Sequence, residues 1–206
     1  MKWVLVKEKA LEYFRFRYKG ITALYSLRAD HDAVEQRFKP VFLKQIHSDV
    51  IVDIDDEPKR EGDGLITEKK DVCLGIKVAD CLPVYLFNDR RISVIHCGWR
   101  GIVKGIAKKA KQRLVEYRYV LGASIGPCCY EIQEDVKELF SKEYPSAVIH
   151  RGDKIFLDLK AAVVKDLGEQ NLLASLNYCT RCRPEYFYSY RRGDVNKRDY
   201  ALLVSR

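Results

Sequence analysis

Three residues of this chain, His47, Cys81 and His96, have the types and placement for chemistry. His47 lies in Lys44-Gln45-Ile46-His47-Ser48-Asp49, between two β-rich runs. Cys81 lies in Val78-Ala79-Asp80-Cys81-Leu82-Pro83, and His96 in Val94-Ile95-His96-Cys97-Gly98-Trp99-Arg100-Gly101. Each stands where a strand-like run meets a loop, a common place for catalytic and binding groups. Two imidazoles and one thiolate can hold zinc, which accepts N and S ligands and keeps a fourth position for water or substrate. A metal there would keep Cys81 as thiolate and lower the pKa of a bound water. Spacing alone does not demand this, because no His-x-x-x-His or paired Cys-x-x-Cys frame links the three. Two structural histidines and a buried cysteine suit the spacing better. A metal-free dyad uses the same groups: imidazole-activated Cys81 is a nucleophile for acyl or amide chemistry, with Asp80 to orient a histidine.

Other segments could bind ligands. His96 to Gly101 closes a strand and opens a helix, where backbone N–H groups and the helix dipole favour an anion. Arg100 could clamp phosphate in bidentate fashion, or form a salt bridge in a tight turn. Arg191-Arg192-Gly193-Asp194 is a second phosphate candidate. Vicinal Cys128 and Cys129 follow Gly126-Pro127, and either touch a ligand or pack as small hydrophobes. Cys179-Thr180-Arg181-Cys182 has Cys-x-x-Cys spacing without a second pair of that form, which favours packing or an occasional disulfide. Tyr186, Tyr188 and Tyr190 would share one face of a strand, for the core or for stacking on a base. Asp63, between Gly62 and Gly64, reads as a turn residue. Asp80 and Glu131 are candidate proton carriers.

Strands are expected at 3–6, 11–18, 41–46, 50–54, 72–78, 82–87, 92–96, 120–125, 173–179, 186–190 and 201–205. Helices are expected at 30–38 (capped by Asp30), 101–117, 134–144 and 158–167. Strands and helices do not alternate regularly. The expected fold class is therefore α+β, a single-domain mixed sheet sandwich with flanking helices over residues 1–206.

The chain has 206 residues, 47% hydrophobic, which is long enough for one domain with a core and excludes a disordered chain. No stretch reaches the ~18 apolar residues of a membrane span, and the N-terminal apolar run is too short for a signal peptide. A cytoplasmic protein with no membrane partner is expected. The net charge of +8 comes from basic residues interleaved with acids, and no nucleic-acid motif accompanies it. Seven cysteines, an odd number, argue against a disulfide framework.

Taken together these segments resemble the YfiH-type family, described as multicopper polyphenol oxidase (laccase-like) and as purine nucleoside phosphorylase. The matching stretches are Lys44 to His47, Gly62 to Thr67, Ala79 to Val84, His96 to Gly101, Ile125 to Glu131, Cys179 to Cys182 and Tyr186 to Arg192. They run in family order over most of the chain. The resemblance implies an α+β sandwich like that of toxin deamidases. It also implies that His47, Cys81 and His96 are catalytic and bind a metal, zinc or possibly copper. The implied activities are phosphorolysis of adenosine, inosine and methylthioadenosine, and deamination of adenosine. Arg100 and Arg191 would bind substrate or phosphate. The partners would be small molecules, a purine nucleoside and phosphate, with the protein a monomer or small homo-oligomer. Cys97 departs from the family's usual alanine and would be an extra thiol near the metal. Asn196 to Tyr200 follows the family's Thr-Gly-Arg segment loosely, so Arg198 is not carried into the site. A four-copper oxidase needs about ten imidazoles, and this chain has four histidines.

Overall fold

The run Leu82-Pro83-Val84-Tyr85-Leu86-Phe87 is apolar throughout, and both of its faces are buried. Val84 and Leu86 face one core, built with Ile102, Ala107, Ala110, Phe140 and Val163 of the helices Trp99–Val103, Ile106–Arg113, Glu134–Glu143 and Leu159–Leu167. Tyr85 and Phe87 face another, built with Phe16, Tyr25, Leu74, Ile76 and Leu203 of a second sheet. Period-two alternation separates the two sets. Each fully buried large apolar side chain contributes about 1.5–3 kcal/mol. The computed structural model describes residues 1–9, 11–56 and 61–206.

One six-stranded sheet runs Val4–Lys7, Glu12–Tyr18, Ile21–Ser26, Asp199–Ser205, Cys73–Val78, Val41–Phe42. The other runs Leu172–Ser175, Arg118–Leu121, Leu82–Phe87, Ile92–Cys97, Gly64–Thr67, Ile51–Asp53. They pack face to face. The outer face of the first carries the helix His31–Phe38, whose Val34 packs with Leu24 and Leu202. A three-stranded sheet of Glu131–Ile132, Lys154–Leu157 and Val148–Arg151 completes the described strands. This is the expected α+β sandwich with helices outside.

Asp30 caps its helix as expected, accepting from Asp32 N at 2.8 Å, and Asp158 accepts from Lys160 N and Ala161 N. Several expectations fail: the strand expected over 173–179 ends at Ser175, and the strands Ile21–Ser26, Gly64–Thr67, Glu131–Ile132, Val148–Arg151 and Lys154–Leu157 were not expected. The helix expected over 101–117 is two helices broken at Gly105, whose φ of +86° suits glycine. The strand expected over 41–46 is a strand only at Val41–Phe42, beyond which Lys44 makes a single bridge to Glu61 on the side of the other sheet. Residues 186–190 form turns, not a strand, and Tyr190 to Arg192 is a short 3₁₀ turn. Tyr186, Tyr188 and Tyr190 thus share no face. Tyr186 packs beside Phe14, Tyr188 lies under Arg28, and Tyr190 is exposed. Among the described residues, no helix is long and apolar enough to cross a membrane.

Candidate active site

Antiparallel pairing of Leu82 with Cys97 and Pro83 with His96 sets the register that brings Cys81 beside His96 at one end of the sheet. His47 arrives from the other sheet, on the loop after Val41–Phe42. Gln45 pins that loop: its Nε2 donates to Lys77 O at 2.9 Å, and its Oε1 accepts from Lys77 N at 2.7 Å. His47 has a φ of +56° and Asp80 of +81°, left-handed backbone that other residues rarely hold without a local constraint. The donor atoms of His47, Cys81 and His96 all lie within 4.8 Å of one another. The two imidazoles meet edge to face, centroids 5.1 Å apart. Gly98 closes the cluster from behind, where a Cβ would sit 3.1 Å from Cys81 Sγ.

Asp63 is wholly buried at the hub of this arrangement. Its Oδ1 lies 2.8 Å from His96 Nδ1, and its Oδ2 accepts from Ser48 N, Ser48 Oγ and Ile46 N. One carboxylate thus fixes the ring of His96 and the loop that carries His47. Asp63 is therefore an orienting carboxylate and not merely a turn residue. A carboxylate on Nδ1 leaves Nε2 as the nitrogen for a ligand.

Burial alone would raise the Cys81 thiol. The charge of His96 and hydrogen bonds with His47 and His96 outweigh burial and bring it down to about 6. Burial alone would lower His96, and the Cys81 thiolate and Asp63 push it up to about 9. Two imidazoles around a thiolate, one of them backed by a carboxylate, fit a borderline-soft metal such as zinc.

Asp80, expected to orient a histidine, binds elsewhere. It accepts from Thr180 Oγ1 at 2.6 Å, Ser189 Oγ at 3.0 Å and Arg191 N at 2.8 Å. These contacts tie the loops at 180 and 189–191 to the strand junction ahead of Cys81. Glu131 pairs outward with Lys154. Cys97 packs in the core on the helix side, because it alternates with His96 along the strand, and it does not join the converging donors.

The cluster sits in a cleft of about 640 Å³ lined also by Trp99, Arg100, Tyr130, Tyr190, Arg191 and Arg198. That volume suits a ligand of nucleoside size. Arg100 lies over the Trp99 ring at 4.4 Å. Arg191 lies over Tyr130 at 5.1 Å and donates to Glu131 O. Arg198, set aside in the sequence, is brought to the same wall by the loop before the last strand. Of the four histidines only His47 and His96 converge. His31 stacks on Tyr200 and pairs with Glu35, and His150 lies on the strand Val148–Arg151.

Residues 26–203 match the family described as multi-copper polyphenol oxidoreductase laccase. The chain belongs to this family. It is 38% identical over 182 residues to a purine nucleoside phosphorylase of Clostridium acetobutylicum, covering 80% of this chain and 76% of that one. It is 31% identical over 166 residues to the adenosine deaminase RL5 of an unknown prokaryotic organism, covering 70% and 63%. The fold is that of YlmD from Geobacillus stearothermophilus, with a TM-score of 0.85, 21% identity and 99% of each chain covered. Family and relatives are those that the motif resemblance named. The copper in the family's description meets only two converging imidazoles and one thiolate here.

Proposed function

We propose that this chain is a purine nucleoside phosphorylase that also deaminates adenosine, with one zinc ion held by His47, Cys81 and His96. The observation that carries the reading is the convergence of those donors, backed by Asp63, in a cleft walled by arginines. Bound there, zinc would supply Lewis acidity to polarise a water or a substrate oxygen. Arg100 and Arg191, which line the same cleft, would bind phosphate and hold it against C1′ of the ribose. Trp99, Tyr130 and Tyr190 offer aromatic surface to the purine. Adenosine, inosine and methylthioadenosine share the purine and the C1′ linkage that this wall addresses. Two imidazoles and a thiolate are too few for a four-copper oxidase.

One observation favours a second reading. Cys81, His96 and Asp63 also form a nucleophile, base and orienting carboxylate, the arrangement of a metal-free thiol hydrolase. Adenosine turnover with and without phosphate, in wild type and Cys81→Ala of known metal content, separates the two. Phosphate-dependent release of adenine, or inosine formation, lost together with metal, supports the zinc enzyme. Turnover that survives chelation but not alkylation of Cys81 supports the hydrolase.

A further inference from the structure

Four of the remaining cysteines are brought together about a loop away from His47, Cys81 and His96. Cys128 and Cys129 lie in the turn after Gly126-Pro127, and Cys179 and Cys182 in the turn after the strand Leu172–Ser175. The four sulfurs lie within 4.8 Å of one another. Cys182 Sγ stands 3.7 Å from Cys128 Sγ and 3.3 Å from Cys129 Sγ. The second pair that the Cys-x-x-Cys spacing lacked in the sequence is therefore the vicinal pair, supplied from some fifty residues away.

We propose that Cys128, Cys129, Cys179 and Cys182 form a second metal site, a closed tetrathiolate that takes zinc and locks two loops of the cleft wall together. The separations suit an ion better than a covalent bond. Tetrahedral zinc with bonds of about 2.3 Å sets its sulfurs about 3.8 Å apart, against about 2.05 Å in a disulfide. Four sulfurs leave no position for water, so the site is structural. Gly126 N–H donates to Cys179 Sγ at 3.2 Å, a backbone donor aimed at a thiolate. Arg181 and Arg183 flank the ligand Cys182 in sequence, so basic residues adjoin the dianionic centre along the chain.

The loops it joins are those of the cleft. Cys129 precedes Tyr130, which lines the cleft. Thr180, between Cys179 and Cys182, donates to Asp80, which in turn accepts from Arg191 N. Arg192 Nη1 donates to Thr180 O and Arg181 O. An ion at the four sulfurs would hold both loops in register and with them Tyr130 and Arg191.

The test is zinc stoichiometry in wild type, Cys81→Ser and Cys182→Ser, purified under reducing conditions, with thiols counted in denaturant after chelation and without reductant. Wild type should carry one more equivalent of zinc than Cys81→Ser, and Cys81→Ser should keep one. Cobalt-loaded Cys81→Ser should show the intense charge-transfer absorption of several thiolates on one ion. All seven thiols should count as free. Cys182→Ser should lose the second equivalent and keep the first. If Cys182→Ser does not fold, a mercurial titration of Cys81→Ser should release its zinc as thiols are modified. Folded Cys81→Ser without zinc, or fewer than seven free thiols in wild type, overturns the proposal. These readouts do not depend on turnover of adenosine, so this site and the nucleoside reading fail separately.

Discussion

Asp63 Oδ1 lies 2.8 Å from His96 Nδ1, and its other oxygen accepts from Ser48 N at 2.6 Å and Ser48 Oγ at 2.8 Å, one residue beyond His47. A single buried carboxylate thus aligns two of the three converging donors, one from each sheet.

Replacing that carboxylate should therefore loosen the metal. Asp63→Asn puts an amide N–H toward His96 Nδ1 or toward the donors of Ser48, and cannot satisfy both. Metal affinity should fall about 10–100-fold, the usual cost of losing such a partner. Competition with a chromogenic chelator measures it, and an unchanged affinity would remove Asp63 from the positioning role.

The arginine wall makes phosphorolysis and deamination separable. Only phosphorolysis needs phosphate, so Arg100→Ala should raise the KM for phosphate about 10–100-fold, the worth of one or two hydrogen bonds to a charged group. Inosine formation from adenosine without phosphate should stay within about twofold. Equal loss in both reactions would mean that Arg100 serves the nucleoside or the fold instead.

Two buried tyrosines should respond oppositely to loss of the hydroxyl. Tyr85 OH donates to Leu24 O at 2.9 Å and joins the two sheets, whereas Tyr25 OH is buried without a partner among the described residues. Tyr85→Phe should cost about 1–2 kcal/mol, and Tyr25→Phe should be neutral or stabilising. Denaturant melts of the two variants beside wild type decide this.

Asp194 ties the turn of Arg191 and Arg192, accepting from Ser189 N at 3.0 Å and Arg192 Nη2 at 2.6 Å. The Ser189 N–H, with Arg192 beside it, holds its carboxyl below the ordinary 3.8 against the opposing effect of burial. With the folded value depressed, the unfolded chain takes up the proton first as pH falls. The stabilisation is complete above 3.8 and drains away below it. Asp194→Asn should therefore cost about 1 kcal/mol at pH 7, and the gap to wild type should close on acidification below pH 4. A gap that widens in acid would contradict the assignment.

The chain's periodicity sufficed for most elements. Leu82 to Phe87 is a strand with the predicted bounds, Asp30 caps the helix it was expected to cap, and the helix expected at 158–167 is present, with Asp158 as its cap. These signals are local: alternation, side-chain caps and apolar spacing act over a few residues. Where local signals conflicted with the turn of the chain, the reading failed. Gly105 broke one long helix, and the alternating tyrosines at 186–190 lie in turns anchored by Asp80 and Asp199.

The site was legible in part. The motif resemblance named His47, Cys81 and His96, but Asp63 looked like a turn residue because nothing local reveals that it faces His96, 33 residues away. The vicinal cysteines and the Cys-x-x-Cys pair each looked incomplete for the same reason.

By itself the sequence determined many of the strands and helices, which of their faces are apolar and which residue types are available for chemistry, but not the strands Ile21–Ser26, Gly64–Thr67, Val148–Arg151 and Lys154–Leu157. Only the tertiary structure decided which strand ends meet. That choice depends on register between strands and on the packing of one sheet over the other, long-range contacts whose energy no short window of sequence contains.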